Sequence, residues 1–187
     1  MTILHTQRLR LEPLNDSHFD GLYAINRRPE VMRYITGQPD TPEQTTAMIE
    51  RTKAQWALCG YSWWAYIDID SGALVGTGCV QNIERNPLNP LELGWRLHPD
   101  HWGQGYATEA ARTMMRFAFA ALDAQLLCAV CHQENADSAA VMERLGMRFI
   151  SIEHWYQRDL AVYGISREKW LAVQAAAGSA APTTPRV

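Results

Sequence analysis

The chain has 187 residues, 17 of them Lys or Arg and 20 Asp or Glu, for a net charge of −3 with His neutral. That length suffices for one domain with its own core, and 47% hydrophobic against 20% charged residues excludes wholesale disorder. The mild acidity argues against a nucleic-acid or membrane-surface binder. No apolar run approaches the ~20 residues of a membrane span, and the alternating first 14 residues do not read as a signal peptide, so a cytoplasmic location is expected.

Residues 6–13 alternate Leu9 and Leu11 against Arg8, Arg10 and Glu12, the pattern of a half-buried strand. Asn15 or Asp16 then caps a helix with Phe19, Leu22, Tyr23 and Ile25 on one face, and Pro29 suits the first turn of a short helix reaching Tyr34. Thr41-Pro42-Glu43-Gln44 is a capping box with Pro at the first helical position; its helix runs through Trp56 and should stop near Gly60. Residues 62–70 and 73–83 read as strands joined at Ser71-Gly72, and Pro87 and Pro90 make a loop of the stretch between them. Leu91, Leu93, Trp95 and Leu97 lie on one face of a strand over residues 91–98, which Pro99 stops.

A long helix then runs to Leu122 on a stripe of Ala107, Ala110, Ala111, Met114, Phe117, Ala118, Ala121 and Leu122. A buried strand over 126–131, a helix over 136–145 ended by Gly146, and strands over 147–156 and 160–166 complete the set. From about 175 onward Ala, Gly, Ser, Thr and Pro follow without periodicity, an expected disordered tail behind a single domain over 1–174. Hairpins first and strand–helix–strand later predict an α/β (α+β) fold: one mixed, mostly antiparallel central sheet of about seven strands flanked by helices.

Four cysteines, Cys59, Cys79, Cys128 and Cys131, are read as small core residues. Cys128-Ala129-Val130-Cys131-His132 matches a haem-attachment pattern, but it lies in a predicted buried strand, where positions three apart face opposite sides. No second Cys-x-x-Cys or His pair completes a zinc site, so no metal is expected.

The segment carrying chemistry is His98-Pro99-Asp100-His101-Trp102-Gly103-Gln104-Gly105-Tyr106-Ala107-Thr108, where a strand stops, two glycines follow, and a helix begins. Glycines allow close backbone approach, and a helix N-terminus presents unpaired N–H groups with partial positive charge, a combination that binds phosphate. A tight turn that merely needs glycine is the alternative. No Lys or Arg lies between Leu97 and Ala111, so main-chain donors would carry most of the anion recognition. Tyr106-Ala107 after Gly105 excludes a P-loop; Thr108, and the lack of an acidic residue closing the next strand, exclude a dinucleotide fingerprint.

This loop resembles motif A of the GNAT superfamily of N-acetyltransferases, Gln/Arg-x-x-Gly-x-Gly/Ala, with Gly105 and Ala107 in the fixed places and Trp102 where Gln or Arg is usual. Trp102-Gly103-Gln104-Gly105-Tyr106-Ala107-Thr108-Glu109-Ala110 is more similar still to the branch of ribosomal-protein N-terminal (alanine/serine) acetyltransferases. Thr6-Gln7-Arg8-Leu9-Arg10-Leu11, Glu92-Leu93-Gly94-Trp95-Arg96-Leu97, Asn135-Ala136-Asp137-Ser138, Leu145-Gly146-Met147 and Asp159-Leu160-Ala161-Val162-Tyr163 agree with it.

The resemblance implies a sheet splayed between its fourth and fifth strands, with acetyl-CoA in the cleft as co-substrate. Its pantetheine would lie on Arg96, Leu97 and His98, its pyrophosphate on Trp102, Gly103, Gln104, Gly105, Tyr106, Ala107 and Thr108, and Asn135 would touch the cofactor arm. Gly94 either marks a bulge opening the splay or packs closely on a neighbour. A main-chain N–H near Leu97 would polarise the thioester carbonyl. An alkylammonium must lose a proton before attack, and Glu92 is the candidate base, against a structural pairing with Arg96; Glu153 is the second choice. The superfamily's usual Tyr acid is Met142 here, and Ser138 takes that role in the resembling branch, its alternative being a bond to the helix backbone. The thiols carry no sign of activation, so direct transfer is expected.

Trp56, Trp63, Trp64, Trp95 and Trp155 either line the acceptor pocket or belong to the core. The expected activity is acetyl transfer to a primary amine, a peptide N-terminus or a small molecule, with an acyl-CoA-binding regulatory domain as the alternative. No nucleic-acid or membrane partner is expected, and since the resembling branch includes dimers, a homodimer is among the expectations.

Overall fold

A computed structural model describes residues 2–179 of the chain. Its strands are β1 (Leu4–His5), β2 (Leu9–Pro13), β3 (Trp63–Asp68), β4 (Leu74–Asn82), β5 (Leu91–Leu97), β6 (Leu126–His132), β7 (Arg148–Trp155) and β8 (Arg158–Ser166). Its helices are α1 (Phe19–Asn26), α2 (Pro29–Met32), α3 (Pro42–Cys59), α4 (Tyr106–Ala121), α5 (Ala136–Arg144) and α6 (Arg167–Ser179). All eight strands join one sheet in the order β1-β2-β3-β4-β5-β6-β8-β7. Every neighbouring pair is antiparallel except β5 and β6, as a strand–helix–strand crossover requires.

The expected seven strands become eight because β1 folds back on β2 through Leu4↔Leu11 and His5↔Arg10. Two residues are too few to show a periodicity; the carbonyl of Thr2 accepting from the Trp64 indole at 2.8 Å ties this stub down. Helix starts follow the capping chemistry. Thr41 and Gln44 bond reciprocally at 3.2 and 2.7 Å, and Gly60 ends α3 in the left-handed region at φ 75°. Asn15 caps a short 3-10 turn, Asp16–His18, that leads into α1. Helix α2 stops at Met32 rather than reaching Tyr34, because the Met32 carbonyl collects the N–H groups of Ile35, Thr36 and Gly37 and closes a turn.

Helices cover both faces of the sheet. Met114, Met115, Ala118 and Phe119 of α4 pack with Val80, Leu93 and Leu127 on one side. Leu22 of α1 and Met48 and Ile49 of α3 pack with Ala65 and Ile67 on the other. Trp56 and Trp64 meet edge to face at 4.9 Å within the core. No apolar stripe predicts a helix after β8, yet α6 forms there and reaches Ser179, past the expected tail boundary at 175. Its anchor is one aromatic, Trp170, stacked on Phe119 at 5.0 Å, too little apolar surface to read as a stripe. The rest of the expected tail, 180–187, lies outside the described residues. Cys79, Cys128 and Cys131 are buried free thiols as expected, whereas Cys59 is exposed because it closes the last turn of α3.

Strands β5 and β6 pair at Leu91↔Leu127 and Glu92↔Cys128 and then part. No bulge causes this: β5 keeps unbroken register with β4 from Asn82↔Leu91 to Gly76↔Leu97, Gly94 included. Gly94 is there for packing, since a Cβ would sit 3.1 Å from Cys79 Sγ. Close approach is more severe at Gly78, where Tyr66 crosses the strand and an added Cβ would fall 1.8 Å from its hydroxyl and 2.6 Å from the Gly94 carbonyl. Because Tyr66 is fully buried and cannot swing out, Gly78→Ala should cost about 2–3 kcal/mol. The expected readout is a melting temperature lower by roughly 5–10 °C; an unchanged one would show that Tyr66 can repack.

Candidate active site

The parting of β5 from β6 leaves main-chain groups without a ladder. The His98 N–H donates to the Val75 carbonyl at 2.9 Å, so in this register the main chains of Arg96 and His98 are turned toward β4. By alternation Leu93, Trp95 and Leu97 turn theirs into the gap. One of these groups is already taken: the indole N–H of Trp102 donates to the Leu97 carbonyl at 3.0 Å.

Below the gap lies the glycine loop. Gly103 and Gly105 adopt φ 71° and 82°, left-handed conformations that L side chains rarely take. Gly105 is the N-cap of α4, and no side chain caps the helix, so its first N–H groups, from Tyr106 through Thr108, point into the loop without a capping acceptor. Gln104 is exposed and donates from its side chain to the Asp100 carbonyl at 2.7 Å. Tyr106 is buried with its hydroxyl on Asp68 at 3.0 Å, Ala107 packs on the core, and Thr108 is half-buried.

The cation missing from the loop's own sequence comes from β2. Arg8 donates from Nη1 to the Gln104 carbonyl at 3.0 Å, covers the Tyr106 ring at 4.1 Å, and pairs with Glu109 at 2.6 Å. Glu109 also accepts from the Thr6 hydroxyl at 2.5 Å and the Arg8 N–H at 2.9 Å. Burial raises the Glu109 pKa, but these donors outweigh it and hold the carboxyl below its usual range. Arg8 and Gln104 are 96 residues apart, so no local spacing announces the contact.

Above β5, on the side of α1 and α3, lies a cavity of about 440 Å³ that Glu92, Gly94, Arg96, Ser138 and Met142 help to line. Glu92 is buried at 6% exposure and sits at the last β5–β6 pair, where the strands diverge. It accepts from the Gln81 side-chain amide at 2.6 Å and from the Tyr156 hydroxyl. The Trp63 indole donates to Gln81 Oε1 at 3.1 Å, which turns the Gln81 NH2 toward Glu92. Burial raises the Glu92 pKa, and these two hydrogen bonds hold it back only in part. Glu92 and Arg96 therefore do not pair. Arg96 reaches instead to Asn26 Oδ1 at 2.9 Å and lies over Trp63 at 4.9 Å.

Tyr156 is the residue that sequence reading misses. It occupies the two-residue turn between β7 and β8 with Gln157, both at positive φ (53° and 61°), without the Gly or Asn that signals such turns. The turn thus falls at 156–157, not after 156 as expected. Glu84 accepts from the Tyr156 N–H at 2.7 Å and gives its own N–H to the hydroxyl at 2.9 Å, which fixes the ring over Glu92. Glu153 is drawn elsewhere, accepting from Ser151 at 2.5 Å and from the Trp155 indole at 2.9 Å, and does not line the cavity.

Asn135 caps α5, its side chain accepting the Ser138 N–H at 3.2 Å. Among the described residues no partner takes the Ser138 hydroxyl, and Ser138 helps to line the cavity. Met142, one turn along, is buried on the same wall. Of the tryptophans, Trp63 and Trp95 line the cavity, while Trp56 and Trp64 are core. Among the described residues no group of three or more His, Cys, Asp or Glu is placed to hold a metal, and no helix is long and apolar enough to cross a membrane.

Residues 8–148 match the family described as the acetyltransferase (GNAT) domain. The FsC-acetyl coenzyme A-N(2)-transacetylase of Aspergillus fumigatus is 30% identical over 191 aligned positions, covering 91% of this chain and 79% of that protein. An acetyltransferase structure from Agrobacterium tumefaciens superposes with a TM-score of 0.77 at 29% identity, over 88% of this chain and 94% of that one. A ribosomal-protein alanine acetyltransferase from Vibrio fischeri, at 16% identity and TM-score 0.75 over 91% and 99% of the two chains, shares the fold. The open sheet, the uncapped helix behind a glycine loop and the match over three quarters of the chain agree: this chain belongs to the GNAT family and is an N-acetyltransferase that takes its acetyl group from acetyl-CoA.

Proposed function

We propose that the acceptor is a small-molecule primary amine that enters the cavity above β5 and is deprotonated by Glu92. The observation that carries this reading is the position of Glu92, a buried carboxylate at the point where β5 leaves β6, on the wall of a cavity of small-molecule size. The Aspergillus relative is named for acetyl transfer to an N(2) nitrogen, which agrees with a nitrogen acceptor.

Acetyl-CoA is the second substrate. Its diphosphate rests on the main-chain N–H groups from Gly103 to Thr108, with Arg8 holding the loop in shape and adding charge beside it. Its pantetheine runs along the gap-facing main chain of Leu93, Trp95 and Leu97, with Arg96 and His98 holding that edge by their bonds to β4, and Asn135 keeps the start of α5 in place beside it. The ammonium gives a proton to Glu92, directly or through water, and the freed nitrogen bonds to the thioester carbon. A strand N–H stabilises the oxyanion of the tetrahedral intermediate; as it collapses the C–S bond breaks, the nitrogen gives up its second proton and the thiolate takes one up, so that the products are the amide and the CoA thiol. The Ser138 hydroxyl, without a partner among the described residues, hydrogen-bonds the departing thiolate, a role Met142 cannot fill.

Three measurements test these assignments. Gly105→Val places a branched side chain where φ is 82° and where a Cβ would already meet Arg8 Nη2 at 3.6 Å; the Kd for acetyl-CoA should rise at least ~10-fold, and an unchanged Kd overturns the loop assignment. Ser138→Ala should lower kcat by about tenfold while leaving the Kd for acetyl-CoA within about twofold; equal loss in both makes Ser138 structural. Because burial raises the Glu92 pKa, kcat/KM should fall on the acid side at a higher pH than an ordinary carboxylate dictates. Tyr156→Phe removes a donor to the ionised form, so that limb should move to still higher pH. A limb that stays in place, with only the melting temperature lowered, would reduce Tyr156 to a prop for its turn.

A further inference from the structure

The acceptor cavity is lined by four arginines, Arg51, Arg85, Arg96 and Arg158, and one carboxylate, Glu92, in a chain whose acidic residues outnumber its basic ones by 20 to 17. Among the described residues none of the four forms an ion pair. Arg158 donates to the Thr36 carbonyl at 2.7 Å, while the guanidinium groups of Arg51 and Arg85 have no hydrogen-bond partner there. Asp40 stands behind Arg96 and Arg51, and Glu84 beside Glu92, but neither lines the cavity.

Arg96 is the most telling of the four. A guanidinium carries its charge at every physiological pH and presents several N–H donors. Here one oxygen, Asn26 Oδ1 at 2.9 Å, accepts from it, and its other neighbours are the sulfurs of Met32 and Met48 at 3.7 Å and the face of Trp63. Its Nε is shut off from solvent and has no partner among the described residues. A sheltered cation so poorly matched by its own protein is costly unless a ligand supplies the anion. The glycine loop that would take the coenzyme diphosphate is absent from this lining, so these arginines are not spent on it.

We infer that the acceptor amine also carries a carboxylate, which docks between Arg96 and Arg51 while its amine faces Glu92. This rests on the reading of the cavity as the acceptor site. Glu92 and Arg96 share one face of β5 about 13 Å apart along the strand, at ~3.3 Å per residue. The ligand is thus an amino acid in the broad sense, with its two charged ends several bonds apart. A polyamine would bring a second cation against Arg51 and Arg85 and is disfavoured.

The experiment follows CoA thiol release with a series of ω-amino carboxylates of increasing chain length, each beside its own carboxamide, together with a polyamine and a short peptide. At one chain length the carboxylate should exceed its amide in kcat/KM by at least ~10-fold. Arg51→Gln, at an exposed position on α3, should bring that preference to within about twofold. The same chain lacking its amine should inhibit the wild type competitively against the acceptor, and the Arg51→Gln variant about tenfold more weakly. Amides or the polyamine turned over as well as the carboxylates overturns the anion inference and leaves the small-amine reading standing. Turnover of the peptide alone overturns both, and a carboxylate preference that Arg51→Gln leaves intact overturns the assigned seat.

Discussion

The molecule depends on a failure of strand pairing. Parallel strands β5 and β6 exchange partners at two positions and then separate, although both remain well bonded on their outer sides to β4 and β8. Main-chain donors and acceptors inside a protein demand partners, so a gap of this kind persists only where something else is to supply them. The two outer ladders keep the fork open as a rigid frame, and each element of the site is measured from it: Glu92 at its apex, the glycine loop at its mouth, α5 across from β5.

Electrostatics divides the frame into two ends. At the mouth, the partial charge of α4 and the guanidinium of Arg8 favour anions, and Glu109 sets the position of Arg8 by accepting from both its side chain and its main chain. At the apex, a buried carboxylate is kept ionisable by Gln81 and Tyr156 against the pull of burial. The same face of β5 carries Glu92 and Arg96 four residues apart, so opposite charges are spaced along a single strand without neutralising each other.

Much of this is legible in the amino-acid sequence alone. The capping box at Thr41, the strand at 91–98 stopped by Pro99, the two glycines and the helix behind them are all local signals, and local chemistry decided them. The residues that escaped are those whose role is made by contacts distant in sequence. Arg8 reads as one polar position on a strand until β2 brings it to Gln104, and Tyr156 reads as the end of a strand until its turn sets it over Glu92. Of the two readings open for Gly94, close packing is the one found, for a related reason: glycine in a strand reports a close neighbour, and here the neighbour is Cys79 on β4 rather than a break in register. Helix α6 escaped because one ring, Trp170, holds it.

The indole of Trp102 on the Leu97 carbonyl has a bearing on the protein at rest. A fork inside a sheet exposes two raw edges, and raw edges invite foreign β-segments to zip onto them. By occupying one acceptor at the open end, the ring spoils that template for any passing extended chain while leaving the neighbouring amides on offer. Trp102 thus doubles as a guard, letting the chain keep an open slot in its middle without becoming adhesive there.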